Sequence, residues 1–218
     1  MEELAGFLDG LGPEWAGLSL TMPLKQAVLP LLSTCSDLAR DVAAANTVVL
    51  RDGERLGHNT DVAGIVAALA EHGVTTAERA VVLGGGATAR SALAALAALG
   101  CTTPVLVVRS SPDETLAAAA RLGVTPSVVA FSPAVLEDCD LLVSTLPPGA
   151  ADAVAPWVRD LPALLDVVYD PWPTALAAAC GGAVVSGALM LLHQAAAQVE
   201  LMTGRQAPLE AMRLALKA

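Results

Sequence analysis

The chain has 218 residues, enough for one large domain or two small ones, and its 55% hydrophobic content can bury a sizeable core. A formal charge of −10 argues against a surface for nucleic acid or an anionic membrane, and three Trp, two Phe and one Tyr give no stacking platform for single strands. Cys35, Cys101, Cys139 and Cys180 are scattered without a C-x-x-C pair, which fits reduced thiols in a cytoplasmic protein. His58, His72 and His193 show no metal-ligand spacing, so no metal is expected.

Glu2, Glu3 and Asp9 interrupt any apolar run, so no signal peptide is expected. Residues 4–8 read as the tail of a helix ended by Gly10 and Gly12. Residues 15–21 read as a short strand stopping at Pro23, and residues 24–32 as a helix. Residues 46–50 and 54–57 flank Asp52-Gly53, a strong hairpin signal. Thr60 is placed to cap a helix over residues 61–71. Residues 72–79 are polar and suit a connection between domains.

A βαβ alternation follows. Strands are expected at 80–83, 105–109, 128–130, 141–145, 164–168 and 184–186. Helices are expected at 87–99, 113–122, 190–203 and 208–217. This alternation predicts a mostly parallel sheet covered on both faces. Residues 171–199 carry no Asp, Glu, Lys or Arg, but Pro173, Gly181, Gly182 and Gly187 cut the run too short to cross a membrane.

The turn after the first strand of this alternation reads Gly84-Gly85-Gly86-Ala87-Thr88-Ala89, the spacing of a dinucleotide fingerprint. Gly84 permits the tight turn, Gly86 admits a pyrophosphate close to the backbone, and Ala89 lets the helix pack against the strand. The free N–H groups at the helix start then hold phosphate. The bland alternative is a glycine-rich turn with no ligand.

Three stretches precede this turn. One is Ser19-Leu20-Thr21-Met22-Pro23-Leu24-Lys25; Lys25 and Lys217 are the two lysines of the chain. Lysine, unlike arginine, can give up a proton near neutral pH in a suitable site. The others are Ala45-Asn46-Thr47 and Gly57-His58-Asn59-Thr60-Asp61-Val62-Ala63-Gly64. Asn46 and Asp61 offer an amide and a carboxylate suited to hydroxyl groups; Asp61 could equally be a carboxylate stabilised at a helix start.

Together the three stretches resemble the shikimate dehydrogenase family, whose motifs run N-V-T-x-P-x-K, G-A-N-T and G-x-N-T-D-x-x-G. The glycine turn, Asp166-Val167-Val168-Tyr169-Asp170-Pro171 and the run from Gly187 to Gln194 match the family as well. The Asp-Pro-Trp-Pro and Leu-His-Gln-Ala contexts look like actinobacterial members. The resemblance implies reversible hydride transfer between NADPH and C3 of 3-dehydroshikimate, giving shikimate. It implies a proton-transferring Lys25 paired with Asp61, and Thr21, Asn46, Asp61, Tyr169 and Gln194 as substrate-binding residues. For NADP(H) it implies Gly84, Gly85, Gly86, Ala87, Thr88, Arg109, Ser110, Thr145, Val167, Gly187 and Met190.

The implied fold is α/β: a Rossmann-type doubly wound parallel sheet over 76–189, preceded by a smaller, apparently truncated α/β substrate domain over 1–75. Residues 190–218 are expected to pack back near that first domain. Ser19, Ala44 and Ala87 depart from the family pattern. The family's amino-terminal G-x-P-x-x-H-S-x-S-P run, whose two serines bind the substrate carboxylate, has no counterpart in these residues. A fragment, a misplaced start and a true loss of the anchor stay open. A chain without that segment is expected to bind NADP(H), to bind shikimate weakly, and to form homodimers or aggregates through an exposed edge at 15–21 carrying Leu18 and Leu20.

An NAD-type site places an acidic residue roughly 20 positions past the glycines. Here the corresponding stretch is Val107-Val108-Arg109-Ser110-Ser111, with no carboxylate before Asp113. Arg109 and the two hydroxyls suit a 2′-phosphate, hence NADP over NAD. Three alternatives remain in view. One is a quinate/shikimate dehydrogenase using NAD, and one a catalytically impaired NADP-binding remnant. The third is another two-domain enzyme such as methylenetetrahydrofolate dehydrogenase, against which Asn59-Thr60-Asp61 and Gln194 speak.

Overall fold

The computed structural model describes residues 2–216 and contains two sheets. The first is built from β1 (Gly17–Ser19), β2 (Thr34–Cys35), β3 (Thr47–Arg51) and β4 (Glu54–His58), in the order β1-β3-β4-β2. β3 and β4 pair antiparallel around Asp52 and Gly53, whose φ values of 53° and 79° are those of the tight hairpin turn that the dipeptide favours. Around this sheet lie α1 (Glu2–Asp9), α2 (Leu24–Ala27) and α3 (Asp37–Val42).

The second sheet holds β5 (Ala80–Leu83), β6 (Val105–Val107), β7 (Ser127–Val129), β8 (Leu141–Ser144), β9 (Ala163–Asp166) and β10 (Ala183–Ser186). Its order is β7-β6-β5-β8-β9-β10, with every pair parallel. This is the doubly wound order whose direction reverses between the first and fourth strands, where such sheets bind dinucleotides. Alternate residues feed two cores: Val82, Val143 and Leu165 face one side, Val81, Leu142 and Leu164 the other. The turns at the strands' carboxyl ends include Gly84 and Thr145; the opposite rim carries the turns at Gly100 and Gly123.

The first face is covered by α5 (Ala87–Ala98) together with α4 (Asp61–Glu71) and α8 (Gly187–Thr203). α6 (Asp113–Arg121) packs beside α5, and α7 (Ala175–Ala179) belongs to the second face. α4 and α8 cross closely because Gly64 has no side chain; a Cβ there would lie 2.8 Å from the Met190 carbonyl oxygen. α9 (Leu209–Leu216) is tied back by Arg213, whose Nη2 lies 2.6 Å from Glu71. His193 approaches the same carboxylate at 2.9 Å. Among the described residues no helix is long and apolar enough to cross a membrane, and no cluster of side chains could hold a metal ion.

Several sequence expectations need correction. The helix expected at 24–32 is α2 followed by a separate 3-10 turn at Leu29–Leu31, because Pro30 has no N–H to continue the ladder. The strand expected at 15–21 shrinks to three residues. It is an edge of its sheet, as expected, but the leucines there are not an exposed apolar face: Leu20 is buried, and the half-buried Leu18 packs on the same core as Val48. Thr60 precedes α4 but does not cap it; Asn59 Oδ1 accepts from Val62 N instead. The short β2, α3 and α7 were not anticipated. α3 is capped by Ser36 and α7 by Thr174, both ordinary capping residues. Lys217 lies outside the described residues.

Candidate active site

Lys25 sits in the first turn of α2, where its own carbonyl accepts from Ala45 N at 2.8 Å. Its ammonium lies 2.7 Å from Asp61 Oδ2, at the start of α4. The two side chains are 14% and 4% exposed, so the pair is largely shielded from solvent. Asp61 Oδ1 accepts from Asn46 Nδ2 at 2.9 Å, so both carboxylate oxygens have a donor.

Asn46 is the hub of this arrangement and is 1% exposed. Its Nδ2 also lies 2.9 Å from Thr60 Oγ1 and 3.0 Å from Gln194 Oε1, while its Oδ1 accepts from Thr60 N at 2.8 Å. The network therefore joins the β3 entry, the α4 start and the middle of α8. Gln198, one turn beyond Gln194, approaches Ser19 Oγ, the Asn46 carbonyl and Thr47 Oγ1 at 3.0–3.1 Å. Gln198 was missed in the sequence; its i+4 spacing from Gln194 on a helix was the available signal.

Thr21 and Tyr169 stand apart from the network. Thr21 is exposed in the turn before α2, and its carbonyl accepts from Leu24 N. Tyr169 is 54% exposed in the loop after β9. That loop is held by Asp166, which is buried and accepts from Val168 N at 3.2 Å and from Thr174 Oγ1 at 2.8 Å. Burial pushes the Asp166 carboxyl above the usual carboxylate range, with the Thr174 and Val168 hydrogen bonds opposing.

The glycine turn leads from β5 into α5. Gly84 has φ +109°, which favours glycine, and Thr145 closes over it with its hydroxyl donating to the Leu83 carbonyl at 2.8 Å. Gly86 is different. Its backbone is extended, and a Cβ added there would meet no atom within 4 Å. The protein itself leaves that space open, and it lies beside the free N–H groups of Ala87 and Thr88, the fit a pyrophosphate requires.

A cavity of about 340 Å³ adjoins the turn, lined in part by Gly84, Gly85, Val108, Arg109, Ser110 and Phe131. Arg109 and Ser110 are exposed at its rim. On the far side of the turn Val167 and Gly187 touch so closely that a Cβ on Gly187 would collide with the Val167 carbonyl. Met190 is buried in the core near α4.

The carboxyl-terminal residues 187–217 match the model of the shikimate 5'-dehydrogenase C-terminal domain, and residues 1–48 that of the shikimate dehydrogenase substrate binding domain. A shikimate dehydrogenase (NADP(+)) of Halobacterium salinarum is 39% identical over 213 residues, covering 93% of this chain and 79% of the relative.

The chain belongs to the shikimate dehydrogenase family.

Its fold superposes on that of the Mycobacterium tuberculosis shikimate dehydrogenase with a TM-score of 0.91 and 42% identity, covering 98% of this chain and 84% of the other. It also matches shikimate 5-dehydrogenase from Thermus thermophilus, solved in complex with NADP(H) and shikimate. There the TM-score is 0.84 and the identity 31%, covering all of this chain and 84% of the other. A shikimate dehydrogenase fold thus brings Lys25, Asp61, Asn46 and Gln194 into one hydrogen-bonded cluster, with the glycine turn on the neighbouring sheet.

Proposed function

We propose that this chain catalyses the reversible, NADPH-dependent reduction of 3-dehydroshikimate to shikimate. The observation that carries the reading is the 2.7 Å contact between Lys25 and Asp61, buttressed by Asn46. Bound NADPH supplies the hydride. As the carbonyl carbon at C3 accepts it, the carbonyl electron pair moves onto oxygen. Lys25 Nζ then donates a proton to that oxygen, leaving a neutral amine that is reprotonated from water before the next turnover. Charge on a developing alkoxide is stabilised most by a donor already in place, and Asp61 keeps the ammonium there. Asn46 orients the Asp61 carboxylate and Gln194 holds Asn46, and with Thr21, Asp61 and Tyr169 they serve the ring substituents of the substrate.

In this reading Gly84, Gly85, Gly86, Ala87 and Thr88 take the pyrophosphate, and Arg109 with Ser110 the 2′-phosphate. Thr145, Val167, Gly187 and Met190 border the nicotinamide end. Residues 1–75 together with 190–218 form the substrate part and 76–189 the nucleotide part. Arg109 at an open rim, with no carboxylate among the residues lining the cavity, favours NADP over an NAD-linked quinate enzyme. We assign the actinobacterial type, supported by the Asp170-Pro171-Trp172-Pro173 run and by the 42% identity to the mycobacterial enzyme. A cytoplasmic location accords with the four free cysteines. Initial rates of NADPH oxidation with 3-dehydroshikimate test the assignment; absent turnover by the folded chain would overturn it.

A further inference from the structure

One buried charge is not used by the reaction. Arg90 lies on α5, one turn past the nucleotide-binding glycines, and is 1% exposed. Its Nε donates to the Val42 carbonyl at 2.7 Å and its Nη2 to the Ala43 carbonyl at 3.2 Å. Its Nη1 reaches Glu114 Oε2 on α6 at 3.2 Å. The same Glu114 oxygen accepts from Gln26, the neighbour of Lys25, at 2.6 Å.

The carbonyls so held are those at the end of α3, which the helix cannot satisfy itself. Their neighbours are held from the same side. Arg121 of α6 donates to the Asp41 carbonyl at 3.0 Å. Asn59 bridges the Ala44 carbonyl at 3.0 Å and Ser91 Oγ of α5 at 3.2 Å. The chain then runs directly to Ala45, whose N–H donates to the Lys25 carbonyl, and to Asn46, which donates to Asp61. Residues 41–46 are therefore a strap with one face fastened to the nucleotide helices and the other to the proton-transfer pair.

We infer that Arg90 is a positioning residue for the reaction: through the 41–46 strap it sets the Lys25–Asp61 pair at a fixed place relative to the nucleotide turn. A buried guanidinium costs free energy unless its hydrogen bonds are met, and a hydrophobic side chain of the same length would fill the space as well. What such a side chain could not do is hold two consecutive carbonyls of another element. The inference rests on the reaction assigned above.

The test compares Arg90→Met and Arg90→Lys with the parent chain. In Arg90→Met, kcat should fall about 10- to 100-fold, as small misplacements of catalytic groups do. The Kd for NADPH, measured by calorimetry, should stay within about threefold, because the guanidinium does not face the turn's N–H groups. Arg90→Lys should recover part of kcat. Adding Asn46→Ala to Arg90→Met should cost less than it costs the parent, since the part of the loss that runs through Asp61 is shared and only the Asn46 contact to substrate adds in full. Hydrogen exchange over residues 42–47 should accelerate in Arg90→Met whether or not the enzyme turns over. Should Arg90→Met not fold, Arg90→Lys carries the same cycle and exchange measurement with smaller effects. A parent chain inactive on 3-dehydroshikimate overturns the assigned reaction. Unchanged exchange, an unchanged kcat or losses that multiply in full overturn the role of Arg90.

Discussion

Lys25 and Asp61 are separated by 36 positions in the chain and by 2.7 Å in space, and the proposed chemistry depends on that contact. Lys25→Ala should lower kcat by about 10²–10⁴-fold with little change in the Kd for NADPH. Asp61→Asn should behave alike, and the double variant should be scarcely worse than either single one, because the two act as a unit. Steady-state rates and cofactor titrations of the three variants check this. At the rim, Arg109→Ala should narrow the preference for NADPH over NADH by about tenfold, near 1.5 kcal/mol, for a charge-assisted contact open to solvent. Equal affinities of the parent for both cofactors would count against that role. Asp166 makes a pH prediction. Its carboxyl titrates above the ordinary Asp value in the folded state, so the folded chain holds that proton more tightly than the unfolded one. Its contribution to stability is then full below the ordinary value and is lost as pH rises through the shifted one. Urea midpoints should decline across that window, and Asp166→Asn should flatten the decline. The members of the Lys25–Asp61–Asn46–Gln194 cluster were legible because their motifs have fixed spacing. Arg90 was not, because a sequence shows which helix carries an arginine but not which carbonyls lie opposite it.

Two glycines, one inside α4 and one capping α5, separate a structural requirement from a ligand requirement. At Gly64 a Cβ would press on Met190 O at 2.8 Å and on Gln194 Cβ at 2.9 Å, so Gly64→Ala must push α4 from α8. The helix-propensity gain of up to about 1 kcal/mol should be outweighed by overpacking of about 1–3 kcal/mol. Activity should fall too, since Asp61 and Gln194 ride on these helices. Gly86→Ala meets no protein atom, so the melting temperature should barely move, the loss of a glycine cap costing under about 1 kcal/mol. NADPH affinity should nevertheless drop about tenfold or more, the worth of one charge-assisted phosphate contact. Calorimetry and thermal melts of both variants distinguish the cases. At this scale the long buried strands and their helices were readable from apolar runs and turn residues. β2 and α3 were not: a two-residue ladder on β4 exists only because β4 is there, and a six-residue helix has too few apolar positions to show a period.

In the whole molecule two sheets are joined by the α4–α8 crossing and by the arginines that grip residues 41–43. Such a joint couples the unfolding of both sheets, so thermal denaturation should show one transition. NADPH at about 100 times its Kd adds about 2.7 kcal/mol and should move that whole transition up by roughly 5–10 °C. A shift confined to one of two resolved transitions would mean that the sheets melt separately.

All six strands of the larger sheet point the same way, which confines the nucleotide turn, Arg109 and the Tyr169 loop to one rim. The turns at Gly100 and Gly123 belong to the other rim; both glycines have positive φ and must stay glycine, but exposed neighbours such as Thr102 and Thr125 can carry an attachment. Those two turns are therefore handles. A peptide tag, a fluorophore or a link to a solid support attached there leaves the working rim facing the bulk solution, so that every immobilised molecule presents the same side to its substrates.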